Sequence, residues 1–221
     1  MIKAYEELAQ RDYQQKELEK LGLTPEDEQH AEIISFMGLA YKIVEESEKD
    51  LPAIEKNLFI HRFIDSIQPL LLFGFKNKAT LLTLSSGAGF PAMPIAVFRP
   101  DLEITMVEDD PVRRKQLQMV VKSVGLSNVV VAEEGSDTFT GVFDYVVQRG
   151  ADTLQSFTRV GKKFITQEGR LYVFHTSNFH EELSEITMNK ETEGVCVSEI
   201  AEYDLANQVH GLNLVAFELY K

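Results

Sequence analysis

The chain has 221 residues, 44% hydrophobic and 26% charged, enough for one well-cored domain with an extension. Its formal charge of −13 argues against non-specific adhesion to nucleic acid, and its single cysteine, Cys196, excludes an internal disulfide and a multi-thiolate metal site. No apolar run approaches membrane-spanning length, and the opening Met1-Ile2-Lys3-Ala4-Tyr5-Glu6-Glu7 is too charged for a secretory signal, so a cytoplasmic protein is expected.

Residues 3–20 are polar and helix-forming, with little apolar periodicity. Thr24-Pro25-Glu26-Asp27 reads as a helix start, with a Thr cap, Pro at the first helical position and acids in the first turn. Ile33, Ile34, Met37, Ala40, Tyr41 and Val44 then recur at helical spacing, and a second helical stretch covers roughly Pro52 to Phe75. His61 and Arg62 on it are placed to brace this extension against a sheet.

From residue 79 the period changes. Apolar runs at Leu81–Leu84, Ile104–Val107, Val129–Val131, Val142–Val147 and Leu171–Phe174 read as buried parallel strands. Helical patterns lie between them at Pro94–Phe98, Val112–Val124, Leu154–Ile165 and Phe179–Met188. Val195–Tyr203 and Leu212–Tyr220 then form two strands with no helix between, an antiparallel hairpin closing a doubly wound α/β sheet. Residues 1–76 are thus expected to be a helical extension and residues 77–221 the α/β domain.

The first strand runs into Ser85-Ser86-Gly87-Ala88-Gly89-Phe90-Pro91, a small-residue turn that reads as a cradle for a nucleotide-like ligand at a helix start or, by itself, as a plain strand-to-helix turn needing small residues for its backbone. Glu108, at the end of the next strand, is placed to hold a ribose through its hydroxyls, a role favoured over the alternative that an acid in the run Glu108-Asp109-Asp110 is a solvated loop residue. Turn and acid together fit NAD as well as S-adenosylmethionine. Helices preceding the loop, a single nucleotide-sized sheet and a terminal hairpin favour the methyl donor over nicotinamide. The five histidines show no ligand spacing, so no metal is expected.

The run from Leu82 to Ala96 resembles the signature of the small-subunit ribosomal RNA methyltransferase G family, also called glucose-inhibited division protein B. His61-Arg62-Phe63-Ile64-Asp65-Ser66, Arg99-Pro100-Asp101-Leu102-Glu103-Ile104-Thr105 and Phe143-Asp144-Tyr145-Val146-Val147-Gln148-Arg149-Gly150-Ala151 are similar too, so the likeness extends over roughly residues 55–175. The resemblance implies a class I S-adenosylmethionine-dependent methyltransferase fold with an N-terminal helical extension. It also implies methylation of guanine N7 in 16S ribosomal RNA or a small-subunit precursor. By position, Ser85, Gly87 and Gly89 would form the methionine-side turn, Glu108 would take the ribose and Asp137 would approach the adenine. Arg149 and His175 would face the RNA.

Four positions depart from the family pattern. Thr83 replaces an aspartate, Ser85 a glycine, Val112 a basic residue and His175 a lysine. A relative that binds RNA or protein without transferring a methyl group is therefore the alternative reading. Guanine N7 already presents a lone pair, so the reaction requires no general base, and rate comes from alignment and exclusion of water. Arg149 is the candidate for positioning the substrate, unless it is spent in a salt bridge to Asp144 or Asp152.

Overall fold

The computed structural model describes residues 62–86, 89–151, 153–175, 179–188, 192–205 and 209–220, together with Lys16 and Glu19. The expected helix starting at Thr24, and Gly87, Asp152 and His61, lie outside the described residues. Elements are α1 (Gln68–Leu72), β1 (Thr80–Leu84), α2 (Ala92–Phe98), β2 (Glu103–Val107), α3 (Pro111–Val124) and β3 (Val129–Val131). There follow β4 (Phe143–Arg149), α4 (Leu154–Gly161), β5 (Ile165–His175), α5 (Phe179–Met188), β6 (Val195–Leu205) and β7 (Val209–Leu219).

The seven strands form one sheet in the order β3-β2-β1-β4-β5-β7-β6. The first five are parallel, while β7 is antiparallel to both β5 and β6. The α/β alternation and terminal hairpin read from periodicity are thus present. Strand order reverses between β1 and β4, which opens a crevice at their carboxyl ends where ligands of such sheets bind.

Alternation of side chains divides the core in two. Leu81, Ile104, Met106, Tyr145, Val147, Tyr172 and Phe174 face one side, where they meet Phe63, Ile64 and Ile95. Leu82, Val146, Leu171 and Val173 face the other, against Leu154 and Phe157 of α4 and Phe179 of α5. Leu81, Leu82, Val146 and Val147 are wholly buried, each worth roughly 1.5–3 kcal/mol of transfer free energy.

Phe63, Ile64 and Phe75, ahead of β1, are part of the first core. Residues 62–66 are helical, Ile67 is a turn, and α1 begins afresh with Pro69 in its first turn. The single helix expected to reach Phe75 is therefore broken at Ile67 and ends near Phe73, where Gly74 takes a φ of +70°. Phe75 instead stacks on Tyr145, with ring centroids 4.1 Å apart, and on Tyr172 at 5.4 Å. Aromatic stacking, and not helix packing alone, docks the segment just before β1 on the sheet.

Other boundaries shift for local reasons. Helix α3 starts where Pro111 follows the Asp110 cap and stops at Gly125, whose φ of +79° suits a glycine. Helix α4 ends at Gly161, and Ile165, expected in that helix, begins an eleven-residue β5 paired with Phe143. The added length of β5 is polar, Thr166-Gln167-Glu168-Gly169-Arg170, so hydrophobic alternation does not announce it. Val142, expected as the first residue of β4, is exposed and lies outside the strand.

Candidate active site at the carboxyl rim of the sheet

The turn after β1 is built from the strand upward. Thr83 is fully buried, and its hydroxyl shares a 2.7 Å hydrogen bond with that of Ser86, itself 2% exposed. Ser85 lies between them, exposed, with its backbone N–H donating to the Val107 carbonyl at 2.9 Å. Its φ is +51°, a left-handed conformation that a glycine would adopt without steric cost. Gly89 has a φ of +92°, and a Cβ added there would stand 2.2 Å from the Met93 side chain. The turn therefore needs its small residues for backbone reasons, and its 86 and 89 positions are held by Gly89 N–H donating to the Ser86 carbonyl at 2.7 Å.

The three acids after β2 have three different tasks. Glu108 is 5% exposed, and its carboxylate accepts from the Asp110 N–H at 3.2 Å. Asp109 accepts from the Ser136 N–H at 2.6 Å and from the Ser136 hydroxyl at 3.0 Å. Asp110 caps α3 by accepting from the Val112 and Arg113 N–H groups at 2.7 and 3.1 Å, and these bonds hold its carboxyl below the usual carboxylate range. The solvated-loop alternative thus does not fit Glu108, which is buried, while Asp109 and Asp110 are exposed yet each holds backbone N–H groups.

Arg114 closes the same rim. Its guanidinium donates to the carbonyls of Glu108 at 2.9 Å, Glu133 at 2.5 Å and Asp109 at 3.3 Å. A cation near a helix N-terminus is unfavourable for the helix dipole, but here it satisfies carbonyls from two loops. Asp137 is exposed, one residue beyond Ser136, on the loop that Asp109 and Arg114 tether to the end of β2. Glu108 and Asp137, 29 positions apart in the sequence, are in this way carried on one rim.

Arg149 ends β4. By alternation it shares the face of Tyr145 and Val147, the same face as Thr83, which pairs with Val147 on β1. One of its terminal nitrogens is ion-paired with the carboxylate of Asp65, which is 3% exposed. The other oxygen of Asp65 accepts from the Tyr203 hydroxyl. The guanidinium carbon lies 5.1 Å from the centroid of the Phe174 ring, within cation–π range. Burial lowers the Arg149 pKa to about 10, which leaves the group charged at neutral pH, and pushes the Tyr203 hydroxyl up. Asp144, one of the two expected partners, instead accepts from the N–H and hydroxyl of Thr80 at 2.9 and 3.0 Å.

His175 is not brought together with Arg149. It ends β5 one residue past Phe174, so it points to the opposite face. There its Nε2 is 3.2 Å from a Glu182 oxygen, and its ring meets Phe179 edge-on at 6.2 Å. The other Glu182 oxygen accepts from the Leu154 N–H at 2.7 Å, so one carboxylate joins β5, α4 and α5. Lys162 donates to the Glu193 carbonyl at 3.0 Å, and Cys196 is a half-buried strand residue whose thiol burial pushes upward in pKa.

Asp65, Tyr203, Asp109 and Arg114 are the members of this rim that motif reading missed. Asp65 lies within the run His61–Ser66, and its place as an acid between the apolar Phe63, Ile64 and Ile67 was the signal available.

Among known proteins, a model of the family described as rRNA small subunit methyltransferase G matches residues 36–209. The ribosomal RNA small subunit methyltransferase G of Lactococcus lactis is 33% identical over 177 residues, which is 75% of this chain and 74% of that one. A crystal structure of MtNAS in complex with MTA and tNA superposes with a TM-score of 0.60 at 13% identity, covering 84% of this chain and 70% of the other. The structure of M. jannaschii TYW2 in complex with AdoMet does so with a TM-score of 0.54 at 15% identity, covering 72% and 76%. The two structural likenesses bear on the fold, that of class I methyltransferases.

Proposed function

The chain belongs to the rRNA small subunit methyltransferase G family, and from that premise we propose that it transfers a methyl group from S-adenosylmethionine to guanine N7 in 16S ribosomal RNA. The observation that carries this reading is the convergence of Ser85, Gly89, Glu108 and Arg149 on the rim where strand order reverses. Among the described residues no helix is long and apolar enough to cross a membrane, and we place the enzyme in the cytoplasm with its RNA.

The residues present suit a nucleoside sulfonium. A turn with a left-handed Ser85 and a Gly89 that leaves no room for a Cβ permits close backbone approach to the methionine end, and Gly87 is assigned to the same turn by its sequence position. Glu108, buried and held by backbone, offers a carboxylate for ribose hydroxyls. Asp137 on the tethered loop is assigned to the adenine side. When bound, S-adenosylmethionine supplies an electrophilic methyl group to a ring nitrogen that already carries a lone pair.

This chain's own work is then orientation and exclusion of water. Arg149 is assigned the RNA-facing role, since its planar fork suits a phosphate or a base edge. His175, engaged by Glu182 on the other face, is assigned to bracing α5, and any RNA it meets lies on that side. The direct test is mass spectrometry of 16S ribosomal RNA from cells lacking this protein. Loss of one N7-methylguanosine, restored by the purified chain, is the expected result; an unchanged set of methylated nucleosides would remove the reading.

A further inference from the structure

Asp65, Arg149 and Tyr203 come from three separate elements: the helical residues 62–66, the end of β4, and β6 of the hairpin. They are 84 and 54 positions apart in the chain, yet Asp65 contacts both others. The arrangement has a defined geometry. Asp65 is nearly sealed, Phe174 lies under the guanidinium, and 28% of the Arg149 side chain stays exposed at the sheet rim. A guanidinium carries five donors, of which this contact engages part, and the rest of the fork remains for a substrate. Arg149 Nε is buried without a partner among the described residues, so the group is oriented by its contacts and not by saturation of its donors.

Charge strengthens the case. Arg62 is close enough to Arg149 to disfavour its charged form, the Tyr203 oxygen favours it, and Asp65 is the carboxylate ion-paired with it. Paired in this way, Arg149 exerts little long-range pull on a polyanion, because the pair is neutral overall. Its contribution to the reaction is therefore directional. An unpaired arginine at the same place would be free to seize any phosphate, out of line with the methyl donor.

We propose that Asp65 and Tyr203 are positioning residues for methyl transfer, acting through Arg149, whose fork they hold in the one orientation that aligns the target base. This rests on the methyltransferase reading above. The step it serves is simple in balance: the ring nitrogen forms a bond to the methyl carbon as the sulfur–carbon bond breaks, the sulfur keeps the electron pair, and no proton need move.

The test uses the full chain, radiolabelled S-adenosylmethionine, and small ribosomal subunits from cells lacking this protein. For Asp65→Asn, kcat is expected to fall about tenfold or more, with KM for the subunits and the Kd of S-adenosylhomocysteine each changing less than about threefold. Tyr203→Phe removes one hydroxyl only and should reproduce a smaller loss of the same kind. Because both act through one arginine, the double variant should be no slower than Asp65→Asn alone. Full activity of either single variant would overturn the proposal, as would multiplying losses in the double variant or loss of cofactor affinity in step with kcat. If instead the unaltered chain methylates no fraction of the subunits, the methyltransferase reading fails and not this refinement of it.

Discussion

The carboxylate of Asp109 grips Ser136 twice, at 2.6 Å from its backbone nitrogen and 3.0 Å from its hydroxyl, across 27 positions of sequence. The site therefore depends on a loop whose place is set from a neighbouring strand. Asp109→Ala should free the loop that bears Asp137 while leaving the sheet intact. Calorimetry with S-adenosylhomocysteine should show affinity falling by about tenfold, consistent with loss of one or two net hydrogen bonds of roughly 1 kcal/mol each. A melting temperature displaced by more than a few degrees would point to a global role instead.

Glu108→Gln keeps the shape of the side chain and removes its charge. Charge-assisted hydrogen bonds contribute about 1.5–3 kcal/mol, so the expected weakening of S-adenosylhomocysteine binding is roughly 10- to 100-fold. The expected fold is native by circular dichroism. Undiminished affinity would place the ribose elsewhere.

The turn offers a paired test in opposite directions. Ser85→Gly relieves a left-handed φ of +51° at an exposed position, and should raise stability by about 0.5–1 kcal/mol with cofactor affinity retained. Gly89→Ala meets the Met93 side chain at 2.2 Å with φ at +92°, and should cost about 2 kcal/mol or more. Chemical denaturation of the two variants would show whether the signs differ as stated.

Arg99 and Asp101 give the fold a pH dependence. They pair at 2.6 Å, and Asp101 also accepts from the Lys78 N–H at 2.9 Å. The Arg99 hydrogen bond, then the Lys78 one, hold the Asp101 carboxyl well below the usual carboxylate range. A group depressed in the folded state stabilises fully above its unfolded pKa, and that contribution is lost as pH falls toward the folded value. Asp101→Asn should thus melt a few degrees lower than the unaltered chain at pH 7, with the gap constant down to about pH 5 and narrowing below about pH 4. A gap that widens in acid would contradict the assignment.

The parts of the molecule with a local signature were legible in the sequence. Leu81–Leu84 and Ile104–Val107 are apolar enough to declare buried strands, and the absence of a helix between Val195 and Leu219 declared the hairpin. Ser85 and Gly89 were legible as a turn because small residues cluster there. What escaped was whatever depends on contact between distant segments. Nothing around Asp65 or Tyr203 announces that they meet, since the distance between them is 138 positions and each stands in an ordinary amphipathic element. The early half of β5 was missed because Gly169 and its polar neighbours mask a strand whose order comes from pairing with β4. His175 read as an RNA contact because its strand-end place was visible, while the Glu182 carboxylate that occupies it belongs to the next helix.

The position of β7 has a temporal meaning. It is the last of the seven strands to leave the ribosome, yet it lies between β5 and β6, so β6 has no seat on the sheet until Val209–Leu219 has paired. Tyr203 is on β6, and reaches Asp65 only once that insertion is made. A nascent or truncated chain ending before Val209 would hold Ser85, Gly89, Glu108 and the Asp65–Arg149 pair, but not the Tyr203 hydroxyl on Asp65. The order of synthesis thus keeps the site incomplete until the sheet is closed.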